Sequence, residues 1–141
     1  MRPSSLSKPR SVQIDTANAI RARHLKVMIV DDEAVWRRSM RFRLMSLYDL
    51  EVKDVGSGDE ALRTITSGER FDLIFLDLSM PEMSGTQAFE RLRDIDPNCA
   101  VVMMSAYSDG EEWAKAKQLN VQVLSKPIMD DELEKVLLEV P

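Results

Sequence analysis

The sequence has 141 residues, 44% of them hydrophobic and 30% charged, which suits one folded domain with a single core and excludes wholesale disorder. Its formal charge of −5 disfavours a protein whose main role is to coat nucleic acid. The single cysteine, Cys99, excludes an internal disulfide framework, and no apolar stretch is long enough for a membrane span or a secretory signal. We therefore expect a cytoplasmic, acidic domain without membrane contact.

The first 25 residues differ from the rest of the chain in charge. They carry a net charge of +4, whereas the remaining residues carry −9. Prolines and hydroxyl residues interrupt any apolar stripe before Ile20, which is typical of a flexible terminus. We interpret residues 1–25 as a basic, flexible tail with a short helical piece near residues 16–24, and residues 26–141 as the folded domain. A nucleic-acid or partner-docking arm is the alternative reading of this tail.

From Lys26 onward, short apolar runs alternate with longer amphipathic segments. Each run has four to six residues, which is the length of a strand rather than of a helix. Most runs lack polar alternation, which indicates strands that are buried on both faces of a parallel sheet. The five runs are Val27–Val30, Leu50–Val55, Leu73–Leu76, Ala100–Met104 and Val121–Leu124.

Helical periodicity appears in the segments between and after these runs. In residues 33–47 an apolar residue recurs every three or four positions, and the arginines between them predict a solvated face. The predicted buried face consists of Trp36, Met40, Leu44 and Leu47. Ser57 and Glu60 have the spacing of a capping box at the start of the second helix. The further helical segments are 86–95, 109–119 and 130–140.

The alternation of strands and helices predicts an α/β fold, an open doubly wound sheet with right-handed crossovers. In such folds a site forms at the carboxyl ends of the strands. Polar residues follow four of the five runs, and we expect their side chains to converge at that edge. They are Asp31 and Asp32 after the first run, Asp77 after the third, Ser105 after the fourth and Lys126 after the fifth.

The three carboxylates at this edge predict a cation site. Two like charges 4 Å apart repel by about 4 kcal/mol at an effective dielectric constant near 20, so either one acid protonates or a cation joins them. A donor set of oxygens on flexible loops favours Mg²⁺ over Ca²⁺. With Mg²⁺ and Lys126 the formal charge of the cluster is zero, and such a cluster can accept a phosphoryl group.

Within this cluster Asp77 is the predicted nucleophile, because it stands alone at the end of its run and a carboxylate can form an acyl phosphate. The adjacent Asp31 and Asp32 are better placed as metal ligands, and Ser105 as a hydrogen-bond partner of the phosphoryl oxygens. Each residue by itself could equally be a helix cap, a turn residue or a solvated lysine. The prediction depends on their joint occurrence at the strand ends.

Together these motifs resemble the receiver domain of two-component response regulators, over about residues 26–140. The resemblance is carried by Val30-Asp31-Asp32, by Asp77-Leu78-Ser79-Met80-Pro81-Glu82-Met83-Ser84-Gly85, by Ser105-Ala106 and by Lys126-Pro127. It implies a flavodoxin-like (βα)5 sandwich around a five-stranded parallel sheet of order 2-1-3-4-5. It also implies a signalling domain that switches a protein–protein interaction surface, rather than an enzyme.

The resemblance assigns roles to individual residues. Asp77 would accept the phosphoryl group from the phosphohistidine of a histidine kinase or a histidine phosphotransfer protein. Ser105 would be the switch hydroxyl, Ala106 a backbone donor and Lys126 the charge partner, followed by a cis peptide bond to Pro127. The implied Mg²⁺ ligands are Asp31, Asp32, Asp77 and the backbone carbonyl of Ser79.

Two departures from the family pattern keep alternatives open. Val123 stands where receivers usually carry Tyr or Phe, and Leu119-Asn120 replaces a common Gly-Ala pair. Val123 motivates the alternative of a receiver-fold docking module that works without phosphorylation. The chain could also be the receiver fragment of a longer response regulator. A metal-dependent phosphatase ranks lower, because such enzymes usually carry a second acid where this chain has Ser79.

Overall fold

The structure of the chain is a computed structural model that describes residues 16–141. Five strands form one parallel sheet of order β2-β1-β3-β4-β5, which confirms the predicted α/β, doubly wound fold and its strand order. The strands are β1 Lys26–Val30, β2 Glu51–Val55, β3 Leu73–Asp77, β4 Ala100–Ser105 and β5 Val123–Ser125. The helices of the described part are α1 at 16–22, α2 Ala34–Tyr48, α3 Gly58–Thr66, α4 Gly85–Ile95, α5 Glu111–Gln118 and α6 Asp130–Glu139.

The sheet separates two apolar layers, because successive side chains of a strand point to opposite faces. In β1, Val27 and Ile29 join the layer formed with α1, α2 and α6, whereas Met28 and Val30 join the layer formed with α3, α4 and α5. Every residue of the central strand β3 is buried. The central strands β1 and β3 are therefore covered on both faces, as the apolar runs predict, and carry polar residues only at their ends, whereas the edge strand β2 also has polar residues in its middle.

Helix α2 differs from its predicted pattern in two ways. Its buried residues are Met40, Leu44 and Tyr48, whereas Leu47 is 39% exposed. Tyr48 takes the interior position in the last turn, where its hydroxyl donates a hydrogen bond to Glu134 of α6 at 2.7 Å. The predicted buried face was therefore wrong at Leu47.

The arginine face of α2 is also less solvated than predicted. Arg37 and Arg41 each bind a different carboxylate oxygen of Asp54 on β2, both at 2.8 Å. The side chain of Asp54 is largely buried between them, and the two guanidinium groups lower its pKa although burial alone would raise it. This ion-pair cluster joins α2 to the edge strand of the sheet.

The N-terminal segment packs on the domain. Ile20 of α1 is fully buried, and Leu25 is almost completely so. Arg23 donates hydrogen bonds to four carbonyl oxygens at the C-terminal end of α6, those of Leu137 (3.0 Å), Leu138 (3.2 Å), Val140 and Pro141 (3.3 Å). The packed region thus extends before residue 26, where the sequence analysis places the domain start, because Ile20 and Leu25 bury apolar surface. Residues 1–15 of the predicted tail lie outside the described residues.

Across residues 16–141, no helix combines the length and the hydropathy that a membrane crossing requires.

The contact between Arg23 and α6 predicts a measurable loss of stability when it is removed. We expect Arg23→Ala to lower the free energy of unfolding by about 1–2 kcal/mol, because the last carbonyls of α6 lose a cationic donor. Arg21→Ala is the matched control, since Arg21 is exposed and binds Asn18 of the same helix. Urea denaturation of both variants tests this, and equal effects of the two substitutions would contradict it.

Candidate functional site

Three aspartates meet at the carboxyl edge of the sheet. Asp31 and Asp32 directly follow β1, and Asp77 is the last residue of the neighbouring strand β3. One carboxylate oxygen from each lies within 4.8 Å of the others. Asp31 and Asp77 are buried, whereas Asp32 is exposed and leaves the cluster open to solvent. The structure thus brings together the three acids that the sequence analysis assigns to this edge.

Lys126, which follows β5, reaches this acidic cluster from the other side. Its ammonium lies 2.7 Å from Asp31 Oδ2, 3.4 Å from Asp77 Oδ1 and 3.4 Å from Glu33 Oε1. Burial alone would lower the pKa of Lys126, but the hydrogen bond to Asp31 and the surrounding negative charges raise it above its usual range. Lys126 is therefore a charged partner of the acids, and its peptide bond to Pro127 is cis, as the resemblance implies.

The electrostatics of the cluster favour an additional cation. Burial, together with the nearby charge of Asp31, raises the pKa of Asp77 to about 7, although Lys126 acts in the opposite direction. One ammonium therefore does not compensate the carboxylates completely. Three carboxylates that are close together and partly open to water form the oxygen donor set that Mg²⁺ prefers, so the residues present fit that ion.

Ser105 and Ser79 are placed differently from these charged residues. Ser105 ends β4 and is buried, and its hydroxyl donates to the carbonyl of Tyr107 and accepts from the amide of Tyr107 at 3.1 Å. Its own carbonyl accepts from the amide of Lys126 at 2.8 Å, which ties the ends of β4 and β5 together. Ser79 is exposed in the loop after β3. In this arrangement the Ser105 hydroxyl forms its hydrogen bonds with the backbone of Tyr107, two residues further along the chain.

Gly85 allows helix α4 to begin directly against the end of β3. Its amide donates to the carbonyl of Leu78 at 3.0 Å, and a Cβ atom at this position would lie only 2.5 Å from the carbonyl oxygen of Asp77. Ser84 caps the helix in a capping box with Gln87. The run from Asp77 to Gly85 thus encodes a close backbone approach that holds the start of α4 against the end of β3.

Three residues at the start of α2 contribute to the site in ways that the sequence analysis did not anticipate. Glu33 binds the ammonium of Lys126, and the ring of Trp36 lies beneath it, 4.9 Å from ring centroid to Nζ. Arg37 donates to the backbone carbonyl of Asp31 at 2.5 Å. The available signal was their position within about one helical turn of Asp32, which keeps them near the loop that carries Asp31 and Asp32.

Comparisons with known proteins agree with this geometry. Residues 27–138 match the family described as "Response regulator receiver domain". Sporulation initiation phosphotransferase F of Bacillus subtilis is 31% identical over 112 residues, which cover 77% of this chain and 86% of that protein. The receiver domain of the histidine kinase CKI1 from Arabidopsis thaliana, solved in complex with Mg²⁺ and BeF3−, is 25% identical with a TM-score of 0.73, covering 92% of this chain and 94% of that one.

Other relatives are much longer than this chain. The uncharacterized transcriptional regulatory protein YhcZ of Bacillus subtilis is 38% identical over 95 residues, which are 67% of this chain and 44% of that protein. The chain spans less than half the length of this relative, and 18% of the transcription factor SKN7 of Chaetomium thermophilum. Because the family model matches residues 27–138, well over half of the chain, the chain belongs to the response regulator receiver domain family.

Proposed function

We propose that this chain is a phosphoryl-accepting receiver of a two-component phosphorelay, with Asp77 as the acceptor. The observation that carries the proposal is the position of the Asp77 carboxylate, buried at the sheet edge between two further aspartates and the ammonium of Lys126. In the proposed step an Asp77 oxygen forms a P–O bond to the phosphoryl group. The P–N bond of the donor phosphohistidine breaks, and the imidazole leaves with its electron pair.

Asp31, Asp32 and Asp77 would hold Mg²⁺, with the backbone carbonyl of Ser79 as a further ligand. Bound Mg²⁺ would neutralise negative charge on the phosphoryl oxygens during transfer. The acids are close enough to share one ion, and the raised pKa of Asp77 supports the need for it. Arg37 supports the loop that carries Asp31 through its hydrogen bond to the Asp31 carbonyl.

Lys126 and Ser105 would respond to the new phosphoryl group. Lys126 already lies between Asp31 and Asp77, so its ammonium can pair with the added negative charge after a small displacement. The Ser105 hydroxyl would exchange its hydrogen bonds with Tyr107 for one to a phosphoryl oxygen. That exchange would move the loop after β4 and change the surface that a partner protein meets.

The proposed partners are proteins rather than membranes or nucleic acid. The names of the relatives, a phosphotransferase and a histidine kinase, support a histidine kinase or a histidine phosphotransfer protein as the phosphoryl donor. We propose a cytoplasmic signalling role. The chain would transmit its phosphorylation state to a partner protein, either by direct contact or by transfer of the phosphoryl group, and would not act as an enzyme on a separate substrate.

Intact-mass measurement of the full chain, incubated with Mg²⁺ and acetyl phosphate, tests this function. We expect one phosphoryl group on the wild type and none on Asp77→Asn. Asp94→Asn is the matched control, because Asp94 is an exposed acid on α4 outside the site, and it should be phosphorylated like the wild type.

Two outcomes would contradict the proposal. A phosphoryl group that remains on Asp77→Asn would mean that another residue is the acceptor. No phosphoryl group on the wild type, from acetyl phosphate or from a phosphorylated histidine protein, would favour the alternative of a docking module that acts without phosphorylation. The half-buried Val123, three residues before Lys126, is the feature that motivates this alternative.

A further inference from the structure

The ammonium of Lys126 contacts an aromatic ring as well as carboxylates. Nζ lies 4.9 Å from the centroid of the Trp36 ring, within the distance at which a cation is attracted by the face of an indole. The Lys126 side chain is only 9% exposed. The ring therefore occupies part of the shell around the ammonium that water would otherwise fill.

Packing, rather than hydrogen bonding, holds the Trp36 ring in this place. The side chain is partly buried and packs against the apolar layer of α1, α2, α6 and the sheet. Its indole nitrogen is buried and has no hydrogen-bond partner among the described residues. A buried indole N–H usually finds an acceptor, so the position of this ring depends on its apolar contacts and on the ammonium.

The ring and the carboxylates respond differently to a bound cation. Mg²⁺ compensates the charge of Asp31 and Asp77 and repels the ammonium, so the attraction that holds Lys126 at the site weakens. The attraction of the indole face for the ammonium depends on the ring quadrupole, which Mg²⁺ does not neutralise. Two groups that contact Nζ lie outside the acidic cluster, Glu33 and Trp36. The Glu33 side chain is 67% exposed, so water screens its attraction, and Trp36 supplies the contact from the apolar layer that Mg²⁺ does not neutralise.

We propose that Trp36 is a positioning residue that keeps the Lys126 ammonium beside Asp77 while Mg²⁺ occupies the acidic cluster. The inference rests on the phosphoryl transfer proposed above. It predicts that Trp36 matters more for phosphorylation at saturating Mg²⁺ than for the binding of Mg²⁺ itself.

The rate of phosphorylation by acetyl phosphate at saturating Mg²⁺ gives the first test. We expect Trp36→Leu, which keeps an apolar side chain but removes the ring, to slow phosphorylation about three- to tenfold. Trp36→Phe keeps an aromatic face and should stay within about twofold of the wild type. The matched control is Trp113→Leu, because Trp113 makes the same kind of contact with Lys117 on α5, at 4.4 Å, outside the site.

Mg²⁺ affinity separates positioning from a general loss of structure. Calorimetric titration of Trp36→Leu should give a Kd for Mg²⁺ that is unchanged or about twofold tighter, since a mobile ammonium competes less for Asp31. A variant whose site is merely disordered would bind Mg²⁺ more weakly. Slow phosphorylation together with undiminished Mg²⁺ binding is therefore the signature of the proposed role.

Fluorescence tests the contact without any phosphoryl donor. In a Trp113→Phe background Trp36 is the only tryptophan, because the chain has two. We expect the further substitution Lys126→Met to change the Trp36 emission both without Mg²⁺ and at saturating Mg²⁺, and Lys117→Met to leave it unchanged. If the effect of Lys126→Met disappears at saturating Mg²⁺, the ammonium has left the ring and the proposal is wrong.

These measurements also keep the two proposals distinguishable. Wild-type phosphorylation with an unaffected rate in Trp36→Leu would overturn the role of Trp36 and leave the proposed function intact. A wild type that takes up no phosphoryl group would overturn the proposed function. The fluorescence comparison at saturating Mg²⁺ would then still decide whether Trp36 holds the ammonium.

Discussion

Gly85→Ala should lower the free energy of unfolding by about 2–4 kcal/mol and strongly slow the phosphorylation of Asp77. The new Cβ atom would lie 2.5 Å from the carbonyl oxygen of Asp77 and 2.8 Å from Cα of Leu78. Both are backbone atoms that cannot rotate away, so α4 must separate from the end of β3. That movement would weaken the Gly85–Leu78 hydrogen bond and displace the Asp77 carboxylate, the proposed phosphoryl acceptor. Urea denaturation and the mass assay measure the two effects.

Gly56→Ala is the matched control for this substitution. The nearest atoms to a Cβ at Gly56 are side-chain atoms of Arg37 at 3.4 Å and Glu60 at 3.6 Å, which is ordinary contact distance. We expect it to change the free energy of unfolding by less than about 0.5 kcal/mol. Equal stabilities of the two alanine variants would show that α4 does not constrain Asp77 as described.

Asp77→Asn should make the metal-free protein more stable at pH 8 and leave its stability nearly unchanged at pH 4. The folded protein raises the pKa of Asp77 from 3.8 to about 7, chiefly by burial, so it holds this proton more tightly than the unfolded chain does. The stabilising contribution of the protonated acid is complete below pH 4 and is lost as the pH rises through 7. Asparagine has no proton to lose, so the variant retains that stability.

The expected gain at pH 8 is about 1–3 kcal/mol, less than the ~4 kcal/mol that the full pKa difference would give, since solvent screens part of the charge. Urea denaturation of both proteins in EDTA between pH 4 and pH 8 measures it, and Asp94→Asn should show no such trend. Mg²⁺ should stabilise the wild type at pH 8 more than Asp77→Asn. A variant less stable than the wild type at pH 8 would mean that the Asp77 carboxylate is not destabilising in the metal-free site.

The sheet could be predicted from the sequence because apolar runs of strand length leave few alternatives. The first residue of β5, in contrast, could not be predicted from the sequence. Val121 belongs to the predicted run, yet its amide donates to the carbonyl of Ala116, so it completes the turn after α5 and the strand begins at Val123. Whether a valine continues a strand or closes a helix depends on hydrogen bonds that composition does not specify.

The convergence of the acids was predictable for a topological reason: parallel strands end at one edge whichever residues they carry. Which acid Lys126 approaches most closely was not predictable. Its shortest contact is with Asp31 rather than Asp77, and Glu33 and Trp36 share the ammonium. These contacts join segments nearly a hundred residues apart, and side-chain rotamers decide them.

The partners of the α2 arginines could not be predicted from the sequence either. A run of charged residues on a helix is usually solvated, and the sequence analysis accordingly predicts that Arg37 and Arg41 lie on a solvated face. The structure pairs both with Asp54, because the register of β2 beside β1 places that acid under the helix. Helical periodicity indicates which face is polar, but only the packed sheet shows what that face meets.

The packing of α1 bears on how the domain should be produced in the laboratory. The family match covers residues 27–138, and a protein shortened to those bounds would lack Ile20, Leu25 and Arg23. It would expose to water the apolar surface that they cover and leave the last carbonyls of α6 without their guanidinium donor. An affinity tag or a fused reporter should therefore be attached ahead of residue 16, so that α1 and its contacts with the domain are retained.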